Sequence, residues 1–322
     1  MKLLAKKLAF LLPLAAALFH SASFASCGSA FCSINTDWTS EALGAAEGKT
    51  MDLRYERIVQ DQPQTGTRRL RVGEIPHDHD EVRTTNQNLL ATYSQNFASG
   101  WGYSVVLPVV NRDHEHIDNN GNIPTVERWN FRQIGDVRVT GRYQTAVGSQ
   151  DFGARSAGLI FGLKLPTGRT RVANAEGDIA ERSLQPGSGT TDAILGAFFR
   201  QQFAENSSSI FAQVQYQRAL NTRDDFAAGA QFAVDLGYAQ RLGERLSGLL
   251  QLNAIVKQRD RGALAEPADS GSRSLFISPG LSYDATESTR VYGFVQVPVR
   301  QSVNGVQLTA RRALTLGITT RF

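Results

Sequence analysis

The stretch Leu314-Thr315-Leu316-Gly317-Ile318-Thr319-Thr320-Arg321-Phe322 decides the fold. Successive side chains of an extended chain point to opposite faces. Leu314, Leu316, Ile318 and Phe322 therefore share one face, and Thr315, Gly317, Thr319 and Arg321 the other. The same alternation recurs upstream. Val137, Val139 and Tyr143 oppose Arg138, Thr140, Arg142 and Gln144; Leu159, Phe161, Leu163 and Leu165 oppose Gly158, Gly162 and Lys164. Phe232, Val234, Leu236 and Tyr238 oppose Gln231, Asp235 and Gly237, and Leu250, Leu252 and Val256 oppose Gln251, Asn253 and Lys257. No helical period is sustained after Met51.

These segments place strands near 51–60, 86–97, 102–111, 136–146, 156–165, 190–202, 208–219, 228–241, 246–259, 273–284, 288–299 and 311–322. A soluble antiparallel sandwich also alternates, but three features favour a membrane barrel. The strands approach the roughly 9–11 residues that cross a bilayer when tilted. The polar face mixes Arg, Lys, Asn and Gly, which suits a wet lumen. Finally, connections alternate between long (61–85, 112–135, 166–189, 220–227, 260–272, 300–310) and mostly short ones, as in barrels with short periplasmic turns and long outer loops. The expected fold is all-β, a transmembrane antiparallel up-and-down β-barrel of about twelve strands over 51–322, with both termini periplasmic. Tyr55, Trp101, Tyr103, Tyr143, Tyr238 and Tyr283 suit interfacial girdles. The strand ending on Phe322 resembles the signal read by the outer-membrane barrel assembly machinery.

Composition agrees. The mean hydropathy of −0.26 excludes a helical membrane protein. Of the formal charge of +4, Lys2, Lys6 and Lys7 supply three positives. These lysines, the apolar run Leu8–Phe19 and Ser23-Phe24-Ala25 form a secretory signal over 1–25, too short to span a membrane. The exported chain then carries about +1, which gives no footprint for nucleic acid. Residues 26–50 are expected to form a periplasmic segment. Its Cys27 and Cys32 are disulfide candidates in an oxidising compartment, with lipidation of Cys27 the alternative. Ser33 stands where haem attachment needs a histidine.

Several short motifs follow one another in a fixed order. Gly135-Asp136 leads a strand, followed by Leu163-Lys164-Leu165-Pro166-Thr167-Gly168 and Gln185-Pro186-Gly187-Ser188-Gly189 with Asp192. Val105-Val106-Leu107-Pro108-Val109, Ile277-Ser278-Pro279-Gly280-Leu281, Phe294-Val295-Gln296-Val297-Pro298 and Asn304-Gly305-Val306-Gln307-Leu308 join them. Over most of 86–322 this order resembles the transporter-like outer-membrane barrels labelled with the MetA pathway of phenol degradation. The resemblance implies a transporter-like barrel, a link to aromatic compounds by name only, and no catalytic residues to carry over. The Cys-containing N-terminal segment and the histidine-rich early loops depart from the family's simplest pattern.

Apart from His20 in the signal, every histidine lies in one of two pairs: His77-Asp78-His79-Asp80-Glu81, and Asp113-His114-Glu115-His116 with Asp118. Both are expected in outer loops flanking the hairpin 86–111. Residues i and i+2 of an extended segment share a side, so each pair can aim two imidazoles at one point. His77, His79, His114 and His116 thus form a candidate site for Zn²⁺, Cu²⁺ or Ni²⁺, with Asp78, Asp80, Glu115 and Asp118 as possible support. Such binding should weaken as pH falls through the ordinary histidine pKa of about 6.5.

Strand parity turns Arg138, Arg142, Lys164 and Lys257 into the lumen, with Asp192 and Asp235 as opposite charges. A mixed-charge lumen suits small polar or amphipathic solutes. The sequence thus points to an outer-membrane channel or transporter in contact with lipid and with a small-molecule solute. A non-conducting metal-binding, sensor or structural barrel is the alternative. An outer-membrane hydrolase is weaker still, because no G-x-S-x-G elbow or P-loop lysine occurs.

Overall fold

The computed structural model describes residues 47–121, 123–148, 154–203 and 207–322. The signal expected over 1–25, Cys27 and Cys32 lie outside the described residues. The strands are β1 (Gly48–Gly66), β2 (Arg68–Arg69), β3 (His79–Asn96), β4 (Trp101–Asp118), β5 (Thr125–Ile134), β6 (Arg138–Ala146) and β7 (Arg155–Lys164). After them come β8 (Asp192–Phe203), β9 (Ser208–Ala219), β10 (Gln231–Arg241), β11 (Leu246–Lys257), β12 (Ser272–Asp284) and β13 (Thr289–Arg321).

Neighbours pair antiparallel around the sheet, and β13 returns to β1, so the barrel is closed. β2 folds back on the end of β1, and β5 pairs the outer part of β4 above β6. β13 doubles back at Asn304-Gly305, where Gly305 takes a φ of +54°, a conformation that costs glycine little. Its first arm pairs β12 up to Val303 and its second pairs β1 from Val306 to Arg321. Eleven strands close the ring, and counting both arms of β13 gives twelve crossings.

Burial is inverted relative to a soluble protein. Leu159 and Leu195 are 59 % and 58 % exposed on the outer wall, whereas Gln251, Asn253 and Thr319 inside are fully buried. Apolar side chains meet lipid and polar ones meet the lumen, as a bilayer requires. Aromatic rings gather beside the short turns: Trp101 lies 5.0 Å from Tyr143, and Phe97 lies 6.3 Å from Tyr103.

Several strands outrun their expected bounds. β3 and β4 each hold 18 residues, so His79, His114 and His116 sit on strands rather than in loops. The expected loop 300–310 is a tight hairpin, and much of 61–85 and 112–135 is sheet. The ladder simply continues above the apolar band, where its outer face turns polar. Arg83 lies 3.6 Å from Asp113, Arg128 lies 3.0 Å from Glu115, and Asn111 donates to Gln87 at 3.2 Å. These pairs put the histidine-bearing ends outside the bilayer. The strand expected at 136–146 is β6, and β5 is an added strand within the stretch expected as a loop; the two are parted at Gly135–Val137, next to Pro108 of β4, which has no N–H for the ladder.

The connection from β7 to β8 folds inward across the barrel mouth. Its Ala180 and Leu184 pack with Trp129 and Phe131 of β5 and Leu308 of β13, walls well apart on the ring. Near the opposite end, Phe211, Leu249, Tyr292 and Phe294 form a second buried apolar cluster.

Candidate functional site

Three strands place a polar-aromatic ladder inside the mouth. Glu81 of β3 is in register with His116 of β4, which is in register with Glu127 of β5. One step further in, Thr84, His114 and Trp129 are likewise aligned. Alternation alone would turn Thr84 away from Glu81. A register shift between Glu81 and Arg83 absorbs the extra residue and keeps both inward.

The rings touch one another and the acids around them. His114 shares a hydrogen bond with Thr84 Oγ1 (2.9 Å), and its Nε2 lies 3.4 Å from His116 Nδ1. His116 Nε2 lies 3.1 Å from Glu127 Oε2, and its ring centroid 4.8 Å from that of Trp129. His79 Nε2 lies 3.1 Å from Glu181 Oε1 and 3.7 Å from Glu81 Oε1. Glu181 belongs to the inward-folded β7–β8 connection. One ligand atom each from His79, His116 and Glu181 lies within 4.8 Å of the other two. Two imidazoles and a carboxylate at that spacing form a donor set for Zn²⁺, Cu²⁺ or Ni²⁺.

Proton affinities diverge within this cluster. Burial drives His114 down to about 4 and His116 down to about 3, with the charge on His79 adding to both. Burial also pushes His79 down, but hydrogen bonds to Glu181 and Glu81 outweigh it and hold His79 up at about 11. Burial raises the Glu181 carboxyl, and Glu81 adds to this against the pull of His79. Glu266, on the β11–β12 connection, is pushed up to about 10 by burial and by the charge of Glu181.

Of the four histidines expected to converge, the structure brings together His79, His114 and His116. His77 precedes β3 and is partly exposed, and its carbonyl accepts from Asn119. Three of the four carboxylates expected to support the rings are engaged elsewhere. Asp80 accepts from Asn119 at 2.8 Å and Asp118 accepts from Asn120. Glu115 alternates outward to Arg128. Glu81, Glu127 and Glu181 take their place. Glu81 and Glu127 were within reach of strand register, but no sequence pattern ties Glu181 to the histidines.

Below the mouth lies a cavity of about 320 Å³. Arg138, Arg142, Lys164, Asp192, Asp235 and Lys257 all line it. Lys164 Nζ lies 3.1 Å from both Asp136 and Asp192, Lys257 lies 3.0 Å from Asp260, and Asn253 donates to Asp235 at 2.8 Å. Arg142 sits 4.6 Å over the Phe198 ring. Among the described residues, nine basic side chains line the cavity (Arg54, Arg112, Arg138, Arg142, Lys164, Arg182, Arg200, Lys257, Arg321) against five acidic ones (Glu56, Asp136, Asp192, Asp235, Asp260).

An inside-out barrel with a polar, charge-lined interior defines the class: this is an outer-membrane β-barrel of the porin-like, transporter-like kind. The chain belongs to the family described as "Putative MetA-pathway of phenol degradation", whose sequence profile matches residues 82–316. No curated protein matches it. Among solved structures, an outer-membrane channel from Pseudomonas putida F1 is similar over 87 % of this chain and 97 % of its own, with a TM-score of 0.65 and 11 % identity. A FadL homologue from Pseudomonas aeruginosa covers 92 % of this chain and 96 % of its own at 8 % identity, with a TM-score of 0.45. A monoaromatic hydrocarbon channel, CymD, covers 92 % and 94 % at 10 % identity, with a TM-score of 0.44. At these identities the likeness to the first is one of fold.

Proposed function

We propose that the protein is a passive outer-membrane channel for small polar or amphipathic solutes. The observation that carries this reading is the charge-lined cavity. It reaches from Gly48, Asn96 and Arg321 near the short-turn end to Arg182 and Phe226 beneath the mouth. Guanidinium and ammonium groups share its wall with Phe198 and Phe211, so a solute with a polar group and an apolar body finds partners for both. Lipid surrounds the apolar band, and the strand ending on Phe322 serves as the assembly signal. Planar-bilayer recording and solute uptake into proteoliposomes test the reading. Discrete conductance steps and solute entry are expected. A folded barrel that neither conducts nor passes any solute would assign it a sensor or structural role instead.

A divalent transition-metal site at the mouth is the finer part of the reading. His79 and His116 supply the imidazoles, and His114 holds His116 in place from behind. The convergence of two rings with Glu181 supports it. Calorimetry with Zn²⁺ and Cu²⁺, wild type beside a His79→Ala/His114→Ala/His116→Ala variant, tests it. Equal heats would end it.

A further inference from the structure

We infer that the metal site is a latch: a bound divalent transition ion fastens the β7–β8 connection across the mouth and closes the channel. This rests on the proposed metal site and adds what that site controls.

The argument starts from where the three donors come from. His79 and His116 are fixed on neighbouring strands of the wall. Glu181 is carried by a connection that has left the wall. Its segment 178–187 is held by contacts that cross the mouth: Trp129 Nε1 donates to the Asp178 carbonyl at 2.9 Å, Leu184 packs against Leu308, and Arg182 lies 4.9 Å from the Phe226 ring. An ion bound by wall and connection together must favour the conformation in which both are adjacent. A ligand shifts such an equilibrium only through its differential affinity for the two states. Here that difference is one carboxylate donor, present when the connection is folded in and absent when it swings out.

The return leg is already fixed. Asp136 of the wall accepts from the Gly168 N–H at 3.0 Å and from the Ser188 N–H at 2.9 Å, pinning both ends of the connection. Opening therefore requires only the middle, around Glu181, to rise. In the absence of an ion, the His79–Glu181 ion pair adds to the Trp129–Asp178 hydrogen bond and the Ala180 and Leu184 packing in holding that middle. A metal replaces the ion pair with bonds to two wall histidines at once.

The test is planar-bilayer recording with Zn²⁺ added on the long-loop side and then removed by a chelator, in parallel with calorimetry on the same preparations. Wild type should conduct less with Zn²⁺ and recover on chelation. Glu181→Gln should bind Zn²⁺ at least about tenfold more weakly, as loss of one donor implies, and conduct independently of it. His116→Gln leaves the His79–Glu181 pair untouched and should lose Zn²⁺ sensitivity too. Heat-modifiable migration confirms that each barrel is folded. Wild type that binds Zn²⁺ with unchanged conductance would overturn the latch and leave the metal site standing. Absence of Zn²⁺ binding to wild type would overturn both. Full Zn²⁺ closure in Glu181→Gln would overturn the role of the connection.

Discussion

The indole N–H of Trp129 donates to the carbonyl oxygen of Asp178 at 2.9 Å, joining a β-strand of the barrel wall to the connection that crosses the mouth. Trp129 is 4 % exposed, a large apolar ring inside a barrel whose other inward positions are mostly polar. Its neighbours Ala180, Leu184 and Leu308 make a small apolar core that belongs to the mouth rather than to the bilayer. A wet lumen gives the connection no reason to fold inward, and this core does.

Truncating that core should open the channel without unfolding the barrel. Leu184→Ala removes a side chain that is 1 % exposed, a change that costs about 2–5 kcal/mol in a tight core. The loss falls on the attachment of the connection, since the ladder of wall hydrogen bonds is untouched. Higher conductance with unchanged heat-modifiable migration is the expected pair of results. Conductance equal to wild type would mean that this core does not obstruct the path.

Lys164 anchors the same connection from below. It neutralises Asp136 and Asp192 together and also meets Ser188. All three ionised side chains are less than a tenth exposed. Removing the cation from such a group costs about 3–5 kcal/mol, because two buried carboxylates are left facing each other. Lys164→Met should therefore lower the temperature at which the folded band disappears in detergent gels, and Lys164→Arg should largely restore it. An unchanged temperature for Lys164→Met would show that water in the lumen already screens the pair.

The wall of the barrel was legible because period-two alternation is local. Leu159 and Lys164 announce their faces from their immediate neighbours. That His114 and His116 share one side follows from the same rule, but that this side is the inner one does not, because both residues read as part of an outer loop. Parity failed at Val82, where one extra residue in β3 resets the faces, and nothing in the local composition marks the shift. It also could not reach Glu181. That residue meets His79 only because the β7–β8 connection folds inward on Trp129, Leu184 and Leu308, a packing contact between segments far apart in sequence. Strand ends were read too short for a related reason: above the bilayer the outer face turns polar, and Asp113, Glu115 and Arg128 look like loop residues while still pairing.

The cavity wall predicts weak anion selectivity. Its nine basic side chains outnumber its five acidic ones, and a low-dielectric wall focuses the resulting field into the lumen. A salt gradient across the bilayer should give a reversal potential of the sign set by anion permeation. The preference should shrink near 1 M salt, where the screening length falls to about 3 Å. Arg138→Gln combined with Arg142→Gln should reduce it further. A cation-selective wild type would show that the carboxylates, and not the guanidinium groups, face the permeating ion.

Metal binding at the mouth should release protons and strengthen as pH rises. His114 and His116 are held neutral by burial, at about 4 and about 3, so they give up nothing near neutrality. His79 is different, because Glu181 and Glu81 overcome its burial and keep it protonated up to about 11. An ion can ligate His79 only as the neutral ring, so its proton must leave. Below pH 11 the apparent affinity should rise about tenfold per pH unit for each proton displaced. A free imidazole would show this slope only below its pKa of about 6.5 and would level off above it. Titrations with Zn²⁺ in two buffers of different ionisation enthalpy, at about pH 7 and about pH 8, count the protons directly. At least one per ion is expected at both values. A count near zero at the higher pH would show that His79 behaves as an ordinary histidine and that its contact with Glu181 is not an ion pair.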